Sequence, residues 1–251
     1  MARQCLFCTN PANSGEHLWS GWILKDLKLV NPIHIKRGKN FSKWIDKTEV
    51  EMKWVCAKDC NGGWMSDIET ENQPHMLAMM NDRPTILEPH EQKLLARWAI
   101  LKAMVLDGSR RYERFYNESE RFAMKPPLRA LPISTVVWIG RLSIKAFHAG
   151  LTDSFGQING IPKAFRNCIV TIIVGHLVIQ VVTMHVLAPF VTSRLPLQYK
   201  AGEWDVNLLE IWPVFGAKSW PPAFSFVPKG RTPHHIAGLI NRWKVGDDIT
   251  R

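Results

Sequence analysis

The sequence has no internal repeat, no low-complexity tract and no apolar N-terminal run of the kind that heads an exported protein. These absences argue against repeat architectures and give the expectation of a cytoplasmic chain. Cysteine is scarce: five residues in 251 do not make a disulfide framework, and in an unexported chain they read as metal ligands. Cys168 is the exception, a small residue inside an apolar run that belongs in a core. Acidic residues are nearly missing from long stretches. Between 121 and 202 Asp153 stands alone against nine bases: Arg121, Lys125, Arg129, Arg141, Lys145, Lys163, Arg166, Arg194 and Lys200. The stretch 218–244 holds Lys218, Lys229, Arg231, Arg242 and Lys244 with no acid at all. Of the formal net charge of +10, residues 1–80 supply +1 and residues 81–251 supply +9. A near-neutral first part joined to a basic second part suits a polyanionic partner, DNA first with RNA left open. Charge is also lacking from Cys168 to Val191, a run long enough to span a bilayer. Its Ile, Val and Thr content, with His176, Gln180, His185 and Pro189, predicts instead two buried strands turning at Gly175-His176. No membrane association is expected.

Apolar residues make up 46% of the chain, an ordinary core-forming content, and eleven tryptophans are available to fill it. Glu16 to Trp19 reads as a short extended stretch, and Ser20 caps a helix through Trp22, Ile23, Leu24 and Leu27. Val50, Met52 and Trp54 alternate with Glu51 and Lys53, which predicts a strand. Cys60-Asn61 then opens a helix bearing Trp64, Met65 and Ile68. Pro74, Pro84 and Pro89 mark 74–90 as a linker, dividing the chain into a domain at 1–75 and a second at 90–251. Leu94, Trp98, Leu101 and Val105 recur at helical spacing, with Gly108 as the C-cap. A helical stretch to about Met124 ends at Pro126-Pro127, and strands follow at Ile133–Ile139, within 168–188 and at Leu208–Trp212.

The chemistry concentrates at the start of the chain. Cys5-x-x-Cys8 and Cys56-x-x-x-Cys60 have the spacing of two zinc knuckles, each giving two thiolates to one tetrahedral ion. Glu16-His17 lies between them and Asn61 follows the last cysteine directly. A histidine can take a proton from water near neutral pH. A carboxylate and an amide oxygen are suitable ligands for a hard cation such as Mg²⁺. Together they point to hydrolysis of a phosphodiester bond.

Over about residues 1–72, "NSGEHLWSGWI" followed by "WVCAKDCNGGWMSDIE" resembles the zinc-stabilised branch of the HNH endonuclease superfamily, the ββα-metal nucleases. That resemblance implies an N-terminal zinc-stapled ββα-metal motif within an α+β fold, and composition and patterning beyond it predict a basic mixed α/β region whose C-terminal half is strand-rich. It implies a structural Zn²⁺ on Cys5, Cys8, Cys56 and Cys60, a catalytic Mg²⁺ or Mn²⁺ on Glu16 and Asn61, and His17 as general base. The bases Arg121, Lys125, Arg129, Arg141 and Lys145 would grip DNA. The sequence departs from the family pattern at several points. Glu16 stands where Asp is commoner, the second cysteine pair has an extra spacer, and Met65 cannot ligate a hard cation. Asn40 is the nearest counterpart of the motif's middle Asn, and Asp67 and Glu69 read as surface charges. An isolated unit of this kind cuts one strand, so cutting both needs a homodimer or successive nicks. Two other readings stand beside the endonuclease: a non-catalytic zinc-containing module that binds nucleic acid, and a scaffold whose apolar C-terminal sheet docks a protein partner.

Overall fold

The computed structural model describes residues 3–27, 35–37, 51–109, 113–158, 161–187, 197–198, 208–223, 225–226 and 244–245. Asn40 lies outside them, as do the predicted polar loop apart from 35–37 and the bases Arg194, Lys200, Lys229, Arg231 and Arg242.

The first half carries β1 (Ser14–His17), α1 (Gly21–Leu27), β2 (Ile35–Arg37) and β3 (Glu51–Val55). A wide π-type helix over Ala57–Met65 follows and runs into α2 (Ser66–Met80). Next come β4 (Thr85–Leu87), α3 (Pro89–Gly108) and α4 (Glu118–Ala123). The remaining described elements are strands: β5 (Thr135–Ile158), β6 (Ile161–Val186), β7 (Leu197–Gln198), β8 (Leu209–Trp212), β9 (Lys218–Trp220), β10 (Ser225–Phe226) and β11 (Lys244–Val245). This is a mixed α/β fold, with the helices gathered toward the N-terminus and a strand-rich C-terminal half.

The antiparallel pair β5–β6 organises the molecule, running from Ile158↔Ile161 out to Thr135↔Thr183. The other edge of β5 is occupied in turn by β8 at Val137–Ile139, β10 at Arg141–Leu142 and β2 at Ala149–Leu151. α2 and α3 pack on β6. β6 reads as a near-continuous apolar run because almost all of its described length is buried. One apolar cluster extends from Cys5 and Phe7 through Met76, Trp98 and Val174 to Trp220, and so is continuous across the proline-marked interval. No helix among the described residues is long and apolar enough to cross a membrane.

Several expectations change. Cys168 to Val186 is one strand segment and not a hairpin, because Gly175 bends the chain without reversing it. Its φ is +62, and a Cβ there would lie 2.3 Å from the carbonyl oxygen of Met80. The sheet thus meets the end of α2 backbone to backbone. Pro74 lies inside α2, so a linker does not begin there. Asn61 does not open its helix: its N–H already bonds the Cys56 carbonyl at 3.0 Å, an i→i−5 bond within the π-type turn. α3 takes in Gly108 and is closed by Ser109. Among the described residues between α3 and Met124 the helical stretch is α4 alone, whose Asn117 and Glu120 side chains form a capping box.

Gly175→Ala should be costly. The left-handed backbone and the overlap with Met80 together predict a loss of about 2–4 kcal/mol, read as a thermal midpoint lower by roughly 5–10 °C. An unchanged midpoint would mean that this close approach does not constrain the fold.

Candidate metal centre and the buried lysine beside it

The first cysteine pair sits in a tight turn held by Cys5 N–H on the Asn10 carbonyl at 2.8 Å and Ala12 N–H on the Arg3 carbonyl at 2.7 Å. Leu6 N–H bonds the Trp54 carbonyl and Asn13 N–H the Val55 carbonyl, at 2.8 and 3.1 Å, so the turn docks on β3. The second pair comes from the end of that strand and the helix after it. In the wide π-type turn residues four apart face the same side, which accommodates the extra spacer between Cys56 and Cys60. The turn is narrow inside at its glycines: a Cβ on Gly62 would stand 3.0 Å from the Ala57 carbonyl oxygen.

The four thiols converge. Their sulfurs all lie within 4.8 Å of one another, and all four residues are buried. Cys5 to Cys60, Cys8 to Cys56 and Cys60 to Cys8 are 3.8, 3.5 and 3.6 Å apart. Backbone N–H groups of Phe7 and Cys56 point at the Cys5 sulfur from 3.4 and 3.2 Å. The hydrogen bond from Cys60, with help from these N–H groups, draws the Cys5 thiol down to about 5. Burial pushes Cys8 up to about 11, and donation to Cys5 pushes Cys60 above its usual range. The surrounding donors thus favour negative charge on the Cys5 sulfur, the charge that a bound cation would also stabilise. The quartet is able to hold a metal ion. Trp64 packs edge-on to Phe7 at 5.6 Å beneath it, and Trp54 lies under the guanidinium of Arg3 at 4.2 Å and near that of Arg114 at 5.3 Å.

β1 pairs antiparallel with β3, matching Glu16 to Met52 and His17 to Glu51. Alternation along β1 sends its last two side chains opposite ways: His17 is exposed and Glu16 is buried at 4% exposure. Asn61 is brought to the same strand. Its amide nitrogen donates to Ser14 Oγ at 2.8 Å and to the Gly15 carbonyl at 2.7 Å, bracing the residues before Glu16.

Glu16 meets a residue that the sequence reading passed over. Lys102, in the middle of α3, has no exposed surface, and its Nζ lies 2.6 Å from Glu16 Oε1, 2.7 Å from Glu69 Oε1 and 2.8 Å from the His17 carbonyl oxygen. An ammonium has three protons to donate, and all three are taken. Burial alone would lower the lysine, but the attraction of Glu16 and Glu69 outweighs it and holds Lys102 above its ordinary 10.5. Glu69 is therefore not merely a surface charge, because α2 aims it at the same ammonium that receives Glu16. Asp67 is exposed, as expected. The signal for Lys102 was present in "LLARWAILKAMVL", residues 94–106. A base inside a stretch apolar on every side must be buried and must find partners.

The five bases assigned to nucleic acid do not share one role. Arg121 is buried and donates from Nε to the Leu6 carbonyl at 3.0 Å and from Nη1 to the Tyr116 carbonyl, fastening α4 to the first cysteine turn. Lys125 is half-buried and Arg129 exposed, on the turn after α4. Arg141 pairs with Asp82, its Nε 2.7 Å from Oδ1, and the exposed Lys145 donates to Asn81 at 2.7 Å, so these two gather at the end of α2.

Lys102→Met should cost about 3–5 kcal/mol, because it strands a buried carboxylate, and Glu16→Gln on that background should recover part of the loss. The pH sign follows from the raised lysine. Its stabilisation is complete below the ordinary 10.5 and lost as pH climbs through the higher folded value. The stability gap between wild type and Lys102→Met, measured by denaturant titration, should stay constant around neutral pH and narrow in strong alkali. A gap that is widest in alkali would contradict the assignment. Comparison with protein-family models, with curated proteins and with solved structures finds no match for this chain.

Proposed function

We propose that this chain is a zinc-stapled nucleic-acid-binding protein that does not hydrolyse the backbone it binds. The observation that carries the reading is the engagement of Glu16: the carboxylate that a hard catalytic cation would need is buried and bonded to the Lys102 ammonium at 2.6 Å. A tethered cation already sits where a mobile one would have to bind. Deprotonated on metal binding, the four cysteine sulfurs would form a closed, soft donor set that suits zinc and leaves no position for water or substrate, the pattern of a structural site. Three of the six sulfur separations, at 3.5–3.8 Å, lie close to the edge of about 3.8 Å expected for tetrahedral zinc thiolate, and all six are within 4.8 Å. When bound, the ion would supply cross-linking and no chemistry, joining the first turn to the helix that carries Asn61. The basic excess of residues 81–251 supports a polyanion as partner, with exposed Arg129, Lys145 and Lys163 on the described surface.

One observation favours the endonuclease as second reading. β1 and β3 pair antiparallel and lead into the helix bearing Asn61, and His17 projects to solvent from the end of β1. In that reading His17 acts as general base, and Mg²⁺ or Mn²⁺ on Glu16 and Asn61 requires Lys102 to release Glu16.

Purified protein should contain about one zinc per molecule, and Cys56→Ser should lose the metal together with most of the stability; a well-folded chain free of metal would remove the staple. Function is tested with supercoiled plasmid and with labelled DNA and RNA, using wild type and His17→Ala, in Mg²⁺, Mn²⁺ or EDTA. The proposal expects retardation that weakens steeply with salt, equal in both proteins, and no nicking. Divalent-metal-dependent nicking that disappears in His17→Ala would overturn it in favour of the endonuclease. Absence of both binding and cleavage would also reject it.

A further inference from the structure

At the closed end of the long hairpin an aromatic ring is left in water. Phe155, near the end of β5, is 53% exposed. It stands directly across the ladder from Arg166 of β6, whose guanidinium lies 5.8 Å from the ring centre. Directly opposed residues of an antiparallel pair share a face of the sheet, so the two side chains meet there. The exposed Lys163 brings its Nζ to 5.8 Å from the same ring. Two cations thus flank an apolar face that the core does not claim.

Arg166 links this ring to a second basic and aromatic group. Its Nε and Nη2 donate to Asp153 at 3.0 and 2.7 Å, and its Nη1 and Nη2 reach the carbonyls of Arg114 and Glu113, each at 3.4 Å. The guanidinium also lies 5.4 Å from the Phe115 ring. With most of its donors engaged, Arg166 is a positioning residue that ties the segment before Phe115 to the hairpin. The Arg114 side chain in turn stands 5.3 Å from Trp54, over which Arg3 is held at 4.2 Å. A line of contacts therefore runs from Lys163 through Phe155, Arg166 and Arg114 to Trp54 and Arg3. The acids along it are Asp153, which Arg166 answers, and Glu113, whose carboxylate is 3.7 Å from Arg166 and 87% exposed. Lys163, Arg114 and Arg3 remain to meet negative charge from outside.

We propose that this edge of the molecule binds single-stranded nucleic acid, with an unpaired base stacked on Phe155 and the neighbouring phosphates held by Lys163, Arg114 and Arg3. The inference rests on the nucleic-acid reading above and adds to it the form of the strand and the surface that takes it. Every base presents a π face to an exposed ring, but in a duplex those faces are covered by neighbouring base pairs. The ring therefore selects strands whose bases are free. A ring set between ammonium and guanidinium groups suits a polyanion, because an apolar protein surface docked there would have to strip water from those charges without answering them.

Fluorescence anisotropy of the full chain tests the face, with a labelled oligothymidylate and a labelled duplex of equal length. Wild type should bind the single strand about tenfold more tightly than the duplex. Phe155→Ala should weaken single-strand binding by about tenfold, leave duplex binding unchanged and, because the ring is exposed, melt where wild type does. Phe155→Leu, which keeps apolar bulk without a π face, should lose most of the same affinity, and Phe155→Trp should keep it. Lys163→Gln should flatten the slope of log Kd against log salt for the single strand by about 0.7. Glu113→Gln, which removes an exposed negative charge beside Arg166, should tighten single-strand binding by about twofold. Equal single-strand affinity in wild type, Phe155→Ala and Phe155→Leu would overturn the face and leave the nucleic-acid reading standing. So would a wild type that prefers the duplex, or variants that lose both probes in equal measure, since neither result comes from stacking. Absence of binding to both probes by wild type would reject the nucleic-acid reading together with the face, and would leave the ring to a protein partner.

Discussion

An ammonium group removed from water must find an acceptor for each of its protons, and Lys102 finds them on two other elements. β1 offers the Glu16 carboxylate and the His17 carbonyl, α2 offers Glu69, and α3 brings the lysine. The arrangement tolerates little displacement. In a medium of low polarity, loosening one partner leaves charge uncompensated. β1 is therefore fixed in position and orientation on the helices. With β1 fixed, so are the turn of Cys5 and Cys8 before it and the exposed face that carries His17.

α2 acts as a strut between two otherwise separate constructions. At its start it continues from the π-type turn that presents Cys60 and Asn61, so it inherits the position of the sulfur cluster. At its end the Met80 carbonyl enters the notch left by Gly175, and Asp82 pairs with Arg141 of β5. Apolar packing of Ile68, Met76 and Met79 fills the interval between those ends. The strut explains how one apolar cluster can include both Cys60 and Val174, although these residues belong to very different kinds of local structure.

Local rules made much of this legible. The cysteine spacing announces its convergence because a pair two or three residues apart can serve one ion. The alternation around Trp54 announces β3, and the run from Leu94 announces α3. What escaped the sequence depends on partners distant along the chain. Glu69 is unremarkable on its own helix and gains meaning only where α2 crosses α3. Pro74 looks like a boundary, yet tertiary packing carries α2 through it. Gly175 looks like a turn because a glycine beside a polar histidine often is one. Here the left-handed residue answers a close carbonyl instead. Glu16 and His17, adjacent in sequence, read as one catalytic pair, but strand alternation points them in opposite directions.

The long hairpin also bears on how the chain assembles. Pairing can begin at Ile158↔Ile161 and proceed toward Thr135↔Thr183, interrupted only by the register shifts at Gly156/Ile158 and Arg141/Ala146, with each paired step closing a loop scarcely larger than the last. The entropic cost of such zipping is spread thinly along the strand. The sulfur cluster has no comparable path, since its sulfur-to-sulfur contacts join residues 48 to 55 positions apart. Sheet growth therefore has a local route and cluster closure a non-local one, and chains rich in local steps outpace those that wait on distant encounters. In a ribosome-bound chain the order of synthesis is reversed: the four cysteines emerge before the hairpin exists. The thiols are then presented while the sheet that supports α2 is still unmade, and a cation binding at that stage would hold the first sixty residues together until the hairpin arrives.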